Sequence, residues 1–245
     1  MGIVKPLKTA LVLAGGKGER LRPLTDNLPK PMVPILGRPL LEYHLHWLRQ
    51  QGIERAVLLA GYLQDVIRQH FRVERIPGLT IECIGEDQPL GRGGALRNGF
   101  LEAGIQDEIL VATNGDIITN QALLPLQKLH EKEKSLATIL LTGMVSPYGV
   151  VDVGSHGQIV SFQEKPKLPY YINGGVYVLS GAVLDRFPEF GDHETGLFPE
   201  LVEEGTISGL KSEAFWCSVE TKKDIDIVEE FVSGHELFTG LVTNH

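Results

Sequence analysis

Cysteine is scarce: the 245 residues hold two, Cys83 and Cys217, far apart and with no CxxC partner. That excludes a disulfide scaffold and a thiolate metal site, and both thiols are expected to be reduced, buried and structural. Basic excess is missing too. Lys and Arg number 23 against 31 Asp and Glu, a net charge of −8, which removes support for a nucleic-acid or anionic membrane partner. No apolar run approaches the roughly 20 residues of a membrane span. The opening "MGIVKPLK" goes straight into a strand, leaving no room for a signal peptide. There is no HExxH and no Cys/His cluster, and His44 and His46, two apart, fall on different helix faces. The eight histidines therefore read as surface or packing residues. Repeats and low-complexity tracts are also lacking. The expectation is a cytoplasmic α/β chain with no nucleic-acid or membrane partner, and self-association is left open.

Apolar runs alternate with amphipathic stretches through the first 142 residues, the pattern of βαβ units on a mostly parallel sheet. Strands are expected at Thr9–Leu13, Ala56–Leu59, Thr80–Ile84, Ile109–Thr113 and Ala137–Leu141. "RPLLEYHLHWLRQQG" reads as a helix, with Pro39 in its first turn, Leu41, Leu45 and Leu48 on one face, and Gly52 as its stop. "NQALLPLQKLHEKEKS" is a second, with a solvated charged end. Past residue 145, "YGVVDVGSHGQIVSFQEKP" reads as two short strands about a turn, and "YINGGVYVLS" as a further strand. The second half is expected to cover one end of the first half's sheet.

"LAGGKGERLRPLT" follows the first strand, with Gly15, Gly16 and Gly18 close to Lys17, Arg20 and Arg22. Successive amides in a glycine turn form an anion nest, and guanidinium groups add charge-assisted bonds to phosphate. Ligands of open parallel sheets sit beyond the carboxyl ends of the strands, where this loop lies. Two familiar phosphate motifs fail: GxGxxG from Gly16 would need glycine where Leu21 stands, and no P-loop run occurs. From the loop alone, a plain strand-to-helix turn stays open.

The ordered series "GGKGERLRPLT", "LPKPMVPI", "QPLGRGGAL", "TNGD", "YGVV", "SFQEKP", "INGGVYVLS" and "FPELVEEG" resembles the sugar-1-phosphate nucleotidylyltransferases, over roughly residues 9–230. It is most similar to the guanylyltransferase branch acting on mannose- or manno-heptose-1-phosphate, with Glu19 at the usual threonine. The resemblance implies a Rossmann-like three-layer mixed sheet of the nucleotide-diphospho-sugar transferase type. Residues 1–245 would be one domain, about 1–142 the nucleotide-binding half and 143–245 the sugar-phosphate half. The implied reaction transfers the nucleotidyl group of a nucleoside triphosphate, with guanine the base implied by that branch, to a sugar-1-phosphate and releases pyrophosphate. By resemblance Arg20, Lys30 and Asp116 are catalytic, Lys30 at the α-phosphate and Asp116 on Mg²⁺. Leu13, Ala14, Gly15, Gly16 and Gly18 would hold the nucleotide, and Gly93 and Gly94 its base. Gly149, Glu164, Lys165 and Asn173 would hold the sugar phosphate. Thymidylyl or uridylyl transfer to glucose-1-phosphate stays open, as does a non-catalytic relative that binds nucleotide sugar.

The pattern breaks near the end. The family reads like W-x-D-I-G-T-P-E-D, its first aspartate the second metal ligand, whereas "WCSVETKKD" places Ser218 there and Glu220 at the glycine. A hydroxyl is a poorer Mg²⁺ ligand than a carboxylate. If Trp216–Val219 is a strand, Ser218 and Glu220 share a face. Glu220 is then either a metal-assisting carboxylate or a solvated residue entering the last helix.

Overall fold

The computed structural model describes residues 5–73 and 75–241; residues 1–4, on which the absence of a signal peptide was read, lie outside them. The chain begins with β1 (Thr9–Leu13), the short pair β2 (Pro34–Ile35) and β3 (Arg38–Pro39), and α1 (Leu40–Gln50). Then come β4 (Arg55–Ala60), α2 (Gln64–His70), β5 (Thr80–Gly85), α3 (Gly91–Glu102), β6 (Ile109–Asn114) and β7 (Ile117–Thr119). The second half adds α4 (Leu123–Glu133), β8 (Ala137–Val145), β9 (Val150–Val153), β10 (Ile159–Gln163) and β11 (Lys167–Ser180). It closes with α5 (Leu197–Glu203), β12 (Ile207–Ser212), β13 (Trp216–Ser218) and α6 (Lys222–Gly234). Among the described residues no helix is long and apolar enough to cross a membrane.

Seven strands form one sheet in the order β12-β8-β11-β6-β1-β4-β5. Six run parallel, and β11 is antiparallel to both its neighbours. Side chains of a strand alternate between faces, and β1 shows the result. Ala10 and Val12 enter the core under α1, α2, α4 and α6, while Leu11 enters the core under α3 and α5. Helices on both faces make three layers. The second half supplies β8, β11 and β12 to this same sheet, while the β9–β10 hairpin and β13, which pairs with β7, stand outside it.

Strand order positions the site. From β1 the chain moves to β4 on one side and returns through β6 on the other, so the strand order reverses at β1. Beyond the carboxyl ends of such strands a crevice opens. Backbone bonds fix its floor: Ala14 N–H donates to the Leu59 carbonyl and Gly115 N–H to that of Leu13, each at 2.8 Å. In β11 the pair Gly174–Gly175 permits a close crossing. Gly175 has φ +65°, and a Cβ there would lie 2.6 Å from Asn114 Nδ2. Both cysteines are free and half-buried, less enclosed than expected, and burial pushes the Cys217 thiol up to about 12.

Candidate active site

Leaving β1, the chain turns into the glycine loop. None of the N–H groups from Gly15 to Arg20 has an acceptor among the described residues. Six consecutive unpaired amides are the donor set an anion nest requires. Gly18 lies at φ +65°, and a Cβ there would stand 2.9 Å from Thr25 Cγ2 and 3.0 Å from Lys30 Cβ. The loop thus seats the lysine of "PKP": Lys30 N–H donates to the Gly16 carbonyl at 3.0 Å, and its stem packs beside Gly16 and Gly18. Ala14 behaves differently from its neighbours. It is buried and its N–H already serves Leu59, so that amide faces the sheet and not a ligand.

The Lys30 side chain is only 6% exposed and ends between two carboxylates. Its Nζ lies 2.6 Å from Asp116 Oδ2 and 2.5 Å from Glu220 Oε1. Glu220 Oε2 accepts from Arg20 Nη2 at 2.6 Å, and Ser218 Oγ donates to Glu220 Oε1 at 3.2 Å. Arg20, Lys30, Asp116 and Glu220, spread across 200 positions of sequence, form one alternating ion-pair chain. Glu220, one-third exposed, is therefore turned toward the two cations and does not stand free in solvent. β13 ends at Ser218, and α6 begins under a capping box in which Asp224 Oδ2 accepts from the N–H groups of Glu220 and Thr221. The cap pins the backbone of Glu220 and leaves its side chain directed at Arg20 and Lys30. Arg22 lies outside the cluster and pairs with Asp26.

A cleft of about 380 Å³ opens over this chain. One wall is Leu13, Gly15 and Gly16; the other is Asn114, Asp116, Ser218 and Glu220; Glu86 and Arg92 close its end. Asn114 Oδ1 and Asp116 Oδ1 are buried and have no donor within the described residues. Two unpartnered oxygens beside carboxylates suit a hard, oxygen-seeking divalent cation, so the residues present fit the metal that the resemblance implies.

Gly93 and Gly94 do not line this cleft. A Cβ on Gly93 would meet His193 N and Pro188 Cγ at 2.8 Å, and one on Gly94 the Glu189 carbonyl oxygen at 2.4 Å. Their lack of side chains lets α3 lie against residues 188–193. In the same motif Arg92 is the residue that reaches the cleft. Its guanidinium bonds Asp192 Oδ2 through Nε at 2.8 Å and Glu194 through Nη1 and Nη2 at 2.9 and 3.0 Å. Burial works against the Asp192 charge, yet the Glu194 N–H and Arg92 hold its carboxyl below the usual range. Behind it His193 is fully buried among Tyr177, Phe187 and Phe198, and burial lowers it to about 4.

The expected sugar-phosphate residues divide in two. Asn173 donates to Tyr177 Oη and to Glu194 Oε1, both at 2.9 Å, and accepts from Gly175 N–H at 2.9 Å. Both of its amide hydrogens are thus engaged, so it organises the strand beside Asn114. Gly149, Glu164 and Lys165 gather at the hairpin: a Cβ on Gly149 would lie 2.8 Å from Phe162 Cζ and 3.2 Å from Glu164 Oε2. Glu164 and Lys165 form an exposed pair at 3.6 Å, outside the cleft lining. Lys165 has φ +46°, an uncommon conformation for a residue with a side chain. Sequence reasoning missed Asn114, Arg92 and Glu194. Arg92 and Asn114 lie inside quoted motifs, but no spacing marks Glu194 as their neighbour.

A family model described as nucleotidyl transferase matches residues 9–230. The chain is 34% identical over 215 residues to a UTP–glucose-1-phosphate uridylyltransferase of Synechocystis sp., covering 80% of this chain and 55% of that protein. It is 34% identical over 233 residues to a mannose-1-phosphate guanylyltransferase of Mycobacterium tuberculosis, covering 92% and 63%. It therefore spans a little over half the length of these relatives. Among solved structures, HddC from Yersinia pseudotuberculosis superposes with a TM-score of 0.74 at 25% identity, over 92% of this chain and 99% of that one.

Proposed function

The chain belongs to the nucleotidyl transferase family, and on that premise we propose that it transfers a guanylyl group from GTP to a mannose- or manno-heptose-type sugar-1-phosphate. A sugar-phosphate oxygen attacks the α-phosphorus, the bond to the β-phosphate oxygen breaks, and pyrophosphate leaves. Such a reaction needs little covalent help; it needs two anions held in line and the developing charge neutralised. One observation carries the reading: Gly15 and Gly16, the first two of six residues with unpaired amides, line one cleft with Asp116 and Glu220, the carboxylates that hold Lys30 and Arg20, at the point where the strand order reverses.

In this reading the amides of Gly15, Gly16 and Gly18 and the Arg20 guanidinium bind the triphosphate, and Leu13 packs beside it. Lys30, held rigidly by the loop, meets the transferring phosphorus. The base lies toward Arg92, with Gly93 and Gly94 shaping the turn behind it. Mg²⁺ would be held by Asp116 and Glu220, and when bound it supplies charge neutralisation to the phosphates. Gly149 allows close approach of the sugar, Glu164 accepts from its hydroxyls, Lys165 neutralises its phosphate, and Asn173 orients the strand below. We place the protein in the cytoplasm, which its two unpaired cysteines support.

Pyrophosphate release from GTP, UTP, dTTP and ATP against a panel of sugar-1-phosphates tests the specificity. GTP with mannose-1-phosphate or manno-heptose-1-phosphate should give the highest kcat/KM. The similarity to a uridylyltransferase makes UTP with glucose-1-phosphate the competing outcome, and a clear preference for UTP or dTTP would overturn the guanylyl assignment.

A further inference from the structure

Glu220 is the member of the ion-pair chain that the resembled motif does not supply, since a glycine stands there. Its two oxygens divide between two cations, Oε1 on Lys30 at 2.5 Å and Oε2 on Arg20 at 2.6 Å. A phosphate group bound by the same two cations would make the same bridge, oxygen by oxygen. We propose that the Glu220 carboxylate is a built-in stand-in for the triphosphate: in the nucleotide-free protein it occupies Arg20 and Lys30, and the incoming phosphates displace it. This rests on the nucleotide reading above.

The geometry says which partner moves. Lys30 is nearly buried, its N–H is bonded to Gly16, and its stem is packed on two glycines, so its ammonium stays in place. Glu220 is one-third exposed and only its backbone is fixed, by the Asp224 cap. Rotation of that side chain frees both cations without unwinding α6. The released carboxylate then stands beside the phosphates that expelled it, and like charges at close range repel. A divalent cation removes the repulsion, so the stand-in ties nucleotide binding to the metal more tightly than chelation of the nucleotide alone would. The relocated carboxylate thus does two things that an aspartate at position 218 with glycine at 220 would not: it masks the cations at rest, and it penalises metal-free nucleotide.

Calorimetric titration with tripolyphosphate and with GTP, each in EDTA and in Mg²⁺, tests the proposal on the whole chain. In EDTA, Glu220→Gln should bind tripolyphosphate at least about tenfold more tightly than the unmodified protein. For GTP, the ratio of affinities in Mg²⁺ and in EDTA should shrink by a similar factor. Glu220→Gly, the residue of the resembled motif, should show the same gain. Because Asp116 still pairs with Lys30 and the capping contacts of Thr221 and Asp224 are untouched, both variants should still unfold in one cooperative thermal transition, at a midpoint lowered by the loss of the pairs to Arg20 and Lys30. Unchanged or weaker binding of tripolyphosphate in EDTA by both variants would overturn the stand-in, while Mg²⁺-dependent binding of GTP would leave the nucleotide reading standing. Conversely, a tripolyphosphate gain with no GTP binding in Mg²⁺ would support displacement by phosphate and overturn the nucleotide reading.

Discussion

Replacing Lys30 by methionine removes the cation that joins Asp116 to Glu220. Methionine keeps most of the stem that packs beside Gly16 and Gly18, so the change is chiefly one of charge. The two carboxylate oxygens lie 2.6 and 2.5 Å from Nζ, hence no more than about 5 Å from each other. At an effective dielectric constant near 20, two unit charges at that distance repel by about 3 kcal/mol. Lys30→Met should therefore lose roughly 3 kcal/mol of unfolding free energy in urea at pH 8 without divalent metal. Millimolar Mg²⁺ should restore more stability to the variant than it adds to the parent, because a divalent cation replaces the missing charge. In kinetics, turnover should fall by on the order of 10²-fold, with a smaller effect on nucleotide affinity. A variant as stable as the parent at pH 8 without metal would show that Lys30 does not bridge the two carboxylates.

Lys165→Ala should raise KM for the sugar phosphate about tenfold and change kcat little; the reverse pattern in steady-state kinetics would move Lys165 to the reacting phosphorus. Gly94→Ala would set a Cβ 2.4 Å from the Glu189 carbonyl oxygen, a backbone atom that cannot yield cheaply, and should lower the unfolding free energy measured in urea by about 2 kcal/mol. His44, His130 and His193 are each lowered to about 4, with burial the leading cause. Their unfolded values lie near 6.5, so the unfolded chain binds protons first as pH falls. Stability should be full above about pH 6.5 and decline toward pH 4, by up to about 1.4 kcal/mol per pH unit for each histidine. A flat profile of urea midpoints across that window would contradict the burial of these rings.

Strand positions were legible because a buried parallel strand writes itself locally. The first expected strand matches β1 residue for residue, and the next three differ from β4, β5 and β6 by one or two residues. The place of β11, antiparallel and between β6 and β8, was not legible, because pairing over 60 residues leaves no mark in either segment. Lys30, Asp116 and Arg20 stand in the quoted motifs, whereas the strand expected at Trp216–Val219 ends at Ser218, and Glu220 meets Ser218 from beyond it, its backbone held by the cap of α6. Gly93 and Gly94 show the limit: a glycine needed for helix packing looks in sequence like one needed for a ligand. What separates the two is the segment 188–193, almost a hundred residues downstream, whose approach only the folded chain reveals.

The central claim concerns the fate of one phosphorus atom. GTP labelled at its α-phosphate, incubated with the protein, Mg²⁺ and mannose-1-phosphate, follows it directly. The account predicts that label passes into a nucleoside diphosphate sugar, only when the sugar phosphate is present, and that Asp116→Asn nearly abolishes the transfer. Retention of label in GTP with every sugar phosphate, although GTP binds, would contradict catalysis and leave a binding relative. Label released as GMP without sugar phosphate would contradict the acceptor.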